Sequence, residues 1–158
     1  MDELEEYLSA FSYRLDGTLM NKHGREVGSY TKKYGRLCTK FGELLMPRVL
    51  WWMHYGKWPV GEIDHIDGNT HNDAIDNLRD CSRDENSKNR RAYSSNLSGY
   101  KGVYPIKYKG VVRSYGAKIQ CDRKPHYLGS FQTAREAAEA YDKAAIDLHK
   151  DFSNLNFK

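Results

Sequence analysis

Val60-Gly61-Glu62-Ile63-Asp64-His65-Ile66-Asp67-Gly68-Asn69, then Asn77-Leu78-Arg79, then Glu85-Asn86-Ser87-Lys88-Asn89-Arg90-Arg91, is the stretch that organises the chain. Val60 to Asp64 reads as a strand, with an Asp-His pair at its end. Residues 66–76 are crowded with Asp, Asn and Gly, the residues that close turns through side-chain bonds or a positive φ. Asn77 to Cys81 reads as a short returning strand. Ser82-Arg83-Asp84-Glu85 has the spacing of a capping box, so a helix is predicted from there to about Arg91. Strand, loop, strand and helix in that order bring a carboxylate, an imidazole and an amide towards one place.

Those three groups suit phosphodiester hydrolysis. The reaction needs an activated water, neutralised phosphate charge and help for the leaving oxygen. A hard divalent cation serves the last two and prefers oxygen donors. Asp64 offers a carboxylate and Asn86 a side-chain carbonyl. His65 can take a proton from water near neutral pH. With two protein ligands, the ion would keep several waters and recruit phosphate oxygens. The plain alternative for an Asp-His pair is a surface turn. His71 lies in the same loop, near enough to reach a phosphate, while His23, His54, His126 and His149 read as surface or packing residues.

Upstream, Pro47 suits the first turn of a helix. Val49, Leu50, Trp52, Met53 and Trp58 give that helix an apolar face, and Gly56 ends it. Two adjacent Trp residues are costly to expose, so the helix is expected to pack against the hairpin. Before it, Tyr13-Arg14-Leu15, Thr18-Leu19-Met20, Arg36–Lys40 and Glu43-Leu44-Leu45 read as strands of one small antiparallel meander, punctuated by Gly. Tyr30, Lys32, Lys33, Arg36 and Lys40 make it basic and aromatic. Either a solvated sheet face or a contact with a nucleic-acid backbone would explain that. Residues 1–12 read as a weakly held lead-in.

Downstream, residues 92–98 are small and polar, a linker. Then Lys101–Tyr104, Arg113–Gln120 and Lys124–Phe131 read as three strands. Thr133 to His149 is the strongest helix signal in the chain. Thr133 and Glu136 form a second capping box. Ala134, Ala137, Ala138, Tyr141, Ala144, Ala145 and Leu148 recur at the spacing of one buried face. The expected fold is therefore α+β: a small N-terminal antiparallel sheet, a strand–strand–helix metal module, and a three-stranded antiparallel sheet packed on one helix. The expected domains are 1–91 and 99–158.

The chain has 158 residues, a formal net charge of +4 and a pI near 8.9, which fits a polyanionic partner without requiring one. Cys38, Cys81 and Cys121 are odd in number and far apart, which speaks against a disulfide framework or a zinc staple. The acidic Met1–Glu6 segment has no apolar core and reads as no signal peptide, and no run approaches the ~20 apolar residues of a membrane span.

The order Asp64-His65, Asn77-Leu78-Arg79, Glu85-Asn86 resembles the HNH endonuclease family and its ββα-metal fold, over about residues 13–91. The Trp-bearing helix and the Asp-Gly-Asn loop are similar to phage homing enzymes of that family. Carried over, the resemblance puts the metal-binding Asp on Asp64, the general base on His65, the loop Asn that orients the base on Asn77 and the helix metal ligand on Asn86. A further helix Asn falls on Asn89, counted with the adjacent Arg90 among DNA contacts. The last family position is Asn rather than His, which implies magnesium, or manganese in its place, and no zinc.

Residues 98–157 resemble the AP-two, or ethylene-response-factor, DNA-binding domain. The match rests on Gly99-Tyr100-Lys101-Gly102-Val103, Ala117–Gln120, Tyr127–Phe131, the Ala-Ala-Tyr-Asp pattern of the helix and Asn154-Leu155-Asn156-Phe157. It implies a sheet face in the major groove. Lys101, Tyr104, Tyr115, Lys118, Gln120 and Tyr127 are the expected contacts, with Arg113 and Lys124 on phosphates. This chain has Tyr where plant members have Trp, and Lys or Gln where they have Arg, which leaves base preference open.

Together these imply a homing-type, metal-dependent endonuclease on double-stranded DNA. It would act as a monomer or homodimer in the cytoplasm of an infected host cell and nick one strand per active site. A non-cleaving DNA-binding regulator on the same scaffold, or cleavage directed by DNA structure, are the alternatives.

Overall fold

The computed structural model describes residues 2–31, 33–90, 95–122 and 124–157. They form two compact units, Met1–Arg83 and Asp84–Lys158. Helix α1 (Glu3–Leu8) is closed at its N-terminus by a reciprocal Asp2–Glu5 capping box, and Leu8 is fully buried. The lead-in is thus a docked helix rather than a loose segment.

The expected single meander is two sheets. Strands β1 (Ser12–Tyr13) and β2 (Leu19–Met20) pair as a short hairpin. Strands β3 (Ser29–Tyr30), β4 (Gly35–Thr39) and β5 (Gly42–Leu45) form a second antiparallel sheet. Helix α2 (Met46–Tyr55) begins with Pro47 in its first turn and ends at Gly56 in the left-handed conformation. Its Met46, Val49 and Leu50 join Leu8, Leu19, Leu37 and Ile75 in one core, on which Trp52, Met53 and Trp58 pack. The Trp helix therefore rests on the N-terminal sheets and on the short 3-10 turn Ile75–Asn77.

Strands β6 (Glu62–His65) and β7 (Leu78–Cys81) form the central hairpin, joined by the loop that ends in that 3-10 turn. Arg48 of α2 donates to the carbonyls of Gly61 (2.8 Å) and Pro59 (3.3 Å), and Asp80 accepts from the Val60 and Gly61 amides, both at 2.8 Å. These bonds fix where the hairpin starts.

The second unit opens with α3 (Arg83–Lys88, whose first residue still counts with the first unit). Residues 91–94, where the helix was expected to end and the linker to begin, lie outside the described residues. Strands β8 (Val103–Tyr108), β9 (Val111–Cys121) and β10 (Lys124–Phe131) make an antiparallel sheet with β9 central. Helix α4 (Ala134–His149), capped by Thr133 and Glu136, packs along it. Ala137, Ala138, Tyr141 and Ala145 face Val103, Ala117 and Ile119. Leu148 is 40% exposed, and Asp142 and His149 take the buried places instead. No described helix is long and apolar enough to cross a membrane.

Candidate active site and nucleic-acid face

Asp64 and His65 end β6, opposite Arg79 and Leu78 of β7. Neighbouring residues on a strand point to opposite faces, so the two side chains meet different surroundings. Both are buried, at 6% and 3% exposure. Arg79 donates from Nε (2.8 Å) and Nη2 (2.6 Å) to Oδ2 of Asp64. His65 Nε2 lies 2.8 Å from Oδ1 of Asp73.

The loop behind them is a closed set of hydrogen bonds. Asn77 accepts from the Asp67 amide (3.0 Å) and donates to Asp67 Oδ1 (3.1 Å) and the Asn72 carbonyl (2.7 Å). Asn72 donates to Asp67 Oδ2 at 2.8 Å, and the Asn69 amide donates to Oδ1 at 2.7 Å. Burial would raise the Asp67 carboxyl, but the bonds from Asn72, Asn69 and Asn77 hold it below the usual carboxylate range. The Ile66 amide completes the loop by donating to the Asn77 carbonyl at 2.9 Å.

Asn77 was expected to orient His65. Its side chain grips the loop immediately after His65, and the imidazole itself is held by Asp73. Sequence reasoning passed over Asp73 because one acid among Asn, Asp and Gly reads as turn chemistry. His71 is also taken up by the fold: Nε2 lies 2.9 Å from the Thr31 carbonyl, and its ring sits 5.3 Å from that of Tyr30.

Among the described residues, no group of three or more His, Cys, Asp and Glu side chains is arranged so that it could hold a metal ion. Asp64 supplies a buried carboxylate, an oxygen donor of the kind a hard cation takes, and its Oδ2 is engaged by Arg79. Asn86 lies on α3 in the second unit, half-buried. Asn89, expected at the DNA surface, is buried, and its carbonyl accepts from Asn154 Nδ2 at 2.6 Å. Arg90 is exposed.

In the second unit, Ala117 and Ile119 face α4, so Gly116, Lys118 and Gln120 face the other way. Register sets Tyr104 beside Gly116 and Tyr127 beside Lys118 on that open face. A Cβ on Gly116 would lie 2.4 Å from the Tyr104 ring, so the missing side chain lets the ring lie flat on the sheet. Lys118 Nζ stands 5.4 Å from the same ring centroid. Arg113 is exposed where the β8–β9 register shifts, and Lys124 is exposed at the sheet end.

Two expected contacts are placed differently. Tyr115 packs on the helix side with Val103 and Ala117, as alternation from Ala117 requires. Lys101 is half-buried, its ammonium donating to the Lys88 carbonyl at 2.5 Å and standing 5.8 Å from the Tyr141 ring centroid. Burial pushes its pKa down to about 8, against the pull of Asp142.

The basic charge is unevenly shared. Residues 84–158 hold 14 Lys and Arg against 8 Asp and Glu, a net +6, whereas residues 1–83 hold 11 against 13, a net −2.

The family model for HNH endonuclease matches residues 46–88. Protein 3.8 of Escherichia phage T7 is 36% identical over 107 residues, covering 67% of this chain and 85% of that protein. An AP2/ERF and B3 domain-containing transcription factor of Arabidopsis thaliana is 39% identical over 75 residues, 45% of this chain but 22% of its own length. An ethylene-responsive transcription factor of the same plant is 46% identical over 57 residues, 32% of this chain and 25% of its own. The chain thus spans about a quarter or less of these plant proteins. No solved structure matches. With an HNH endonuclease domain and an AP2-like region in one chain, and with most of the phage protein's length covered, this chain belongs to the family of phage T7 protein 3.8.

Proposed function

We propose that this protein is a metal-dependent DNA endonuclease whose second unit selects the site of cutting. One observation carries the reading: a buried carboxylate and a buried imidazole, adjacent in sequence at the end of β6, each fixed by its own charged partner. His65 takes the proton of the attacking water as the water oxygen bonds to phosphorus and the bond to the leaving oxygen breaks. Asp64 holds the divalent ion, magnesium or manganese, and Asn86 joins it on the sequence resemblance. Bound there, the ion would supply charge neutralisation for the phosphate and the leaving oxygen. Asn77 keeps the loop after His65 in place through Asp67.

The domain scheme is a nuclease over 1–91, a linker over 92–98 and a DNA-reading sheet over 99–158. Tyr104, Lys118, Gln120 and Tyr127 supply the reading face, and Arg113, Lys124 and Arg90 meet phosphates. Tethering raises the local concentration of the active site at chosen sequences. One active site nicks one strand, so a double-strand cut requires a homodimer or a second event. A homing role in the infected cell's cytoplasm fits the relationship to a phage protein.

Supercoiled plasmid incubated with purified protein and magnesium or manganese tests this. Nicking is expected, abolished by chelator and reduced ~100-fold or more by His65→Ala. Scission that survives His65→Ala undiminished refutes the mechanism. The Arg79–Asp64 pair favours one second reading, a non-cleaving DNA-binding protein whose carboxylate is neutralised by arginine rather than by a cation. DNA binding without nicking at any divalent-ion concentration would favour it.

A further inference from the structure

A second buried carboxylate stands behind His65, outside the metal chemistry. Asp73 is 1% exposed. Its Oδ1 meets His65 Nε2 at 2.8 Å, and its Oδ2 accepts from the Tyr30 hydroxyl at 3.1 Å. An ionised carboxylate only accepts, so the bond requires the imidazole proton on Nε2. The lone pair of the neutral ring is then on Nδ1.

The pocket around Asp73 comes from residues upstream of the matched HNH stretch, which begins at residue 46. Tyr30 lies on β3. A Cβ on Gly35 would lie 2.9 Å from Asp73 Oδ2, and a Cβ on Gly17 would lie 2.4 Å from the Asp73 carbonyl carbon. Both positions are shaped to let the acid segment approach. The Ile75 amide donates to the Leu15 carbonyl at 3.0 Å, and His71 Nε2 lies 2.9 Å from the Thr31 carbonyl, fastening the segment on either side of Asp73. Burial, and then the charge of Asp73, push the Tyr30 phenol well above its ordinary range, so it remains a donor.

We infer that Asp73 is a positioning residue for the nuclease reaction. It fixes His65 in the Nε2–H tautomer and presents Nδ1 as the proton-accepting nitrogen. Residues 12–35 serve the active site by holding that carboxylate through Tyr30. The inference rests on the nuclease reading, and buried acid–imidazole pairs orient bases in this way in other hydrolases.

Long-range proton–nitrogen correlation spectra of ¹⁵N-labelled full-length protein report the His65 tautomer without any need for activity. The wild type is expected to show Nε2–H. Asp73→Asn is expected to cut the single-turnover nicking rate about 10–100-fold while plasmid affinity stays within about twofold. Tyr30→Phe, which keeps the ring and removes one bond, is expected to cut the rate severalfold and serves if Asp73→Asn does not fold. A wild type that nicks but carries the His65 proton on Nδ1 overturns the role of Asp73 alone. So does Asp73→Asn or a folded Tyr30→Phe nicking at the wild-type rate. A wild type that fails to nick under any divalent-ion condition overturns the nuclease reading, and this role with it.

Discussion

Lys101 carries an ammonium that burial deprives of water, which brings its pKa from the ordinary 10.5 to about 8. Between those values the unfolded chain binds more protons than the folded one, so stability rises with pH across that interval. Tyr141 acts oppositely. Burial raises its phenol, so folded protein keeps a proton that the unfolded chain loses above about pH 10. The urea midpoint is therefore expected to climb from pH 8 to 10 and to turn over above that. Lys101→Met should flatten the climb, and a midpoint independent of pH in the wild type would contradict the assignment. At this scale the spacing singled out Asp64, His65 and Asn77, and the structure sets them at the end of β6 and in the loop that follows it. The sequence concealed Asp73, whose partner Tyr30 is 43 positions away. It also concealed the inward turn of Lys101, which depends on the Lys88 carbonyl and on Tyr141.

At the scale of elements, α4 and the segment after it show local and distant signals together. Thr133 and Glu136 were legible as a cap, and Thr133→Ala should lower stability by ~1 kcal/mol, read from denaturant curves. Asp142, in contrast, is buried because the chain returns to it. Its carboxylate accepts from the Asn156 amide and side chain and from the Phe157 amide, all within 2.9–3.0 Å. Asn156 in turn bonds the Lys101 backbone through both its side-chain oxygen and nitrogen. Asp142→Ala strands those donors and should cost about 3 kcal/mol, more than the cap. Helical periodicity could place Ala137, Ala138, Tyr141 and Ala145 inward, but not an acid whose partners come 14 and 15 residues later. Alternation on β9 gave Lys118 and Gln120 their face. Applied strictly, the same rule sends Tyr115 to the helix side with Ala117 and Ile119.

For the whole molecule, charge decides where a polyanion is held. The net +6 of residues 84–158 against −2 for residues 1–83 places the electrostatic attraction on the second unit. The logarithm of DNA affinity should fall linearly with the logarithm of salt concentration. Lys118→Ala should weaken binding, and Lys124→Ala should lower the slope by about 1 in filter-binding or anisotropy titrations, as expected for one lost phosphate contact. A slope unchanged by Lys124→Ala, Arg113→Ala and Arg90→Ala together would move the attraction elsewhere. Composition alone reported only the mild +4, because opposite charges in the two halves mask each other.

The seating of Asp73 against Gly17, Tyr30 and Gly35 bears on how such genes recombine. A crossover that lifts only residues 46–88 into a new host would carry the acid and leave behind the phenol above it and the two bare backbones that make room for it. The transplanted imidazole would then sit beside an acid open to water, and such a chimera should be a sluggish nuclease. A breakpoint ahead of α1 keeps Leu8 in the shared core and carries the two small N-terminal sheets along with the HNH stretch, so surviving recombinants should inherit all three.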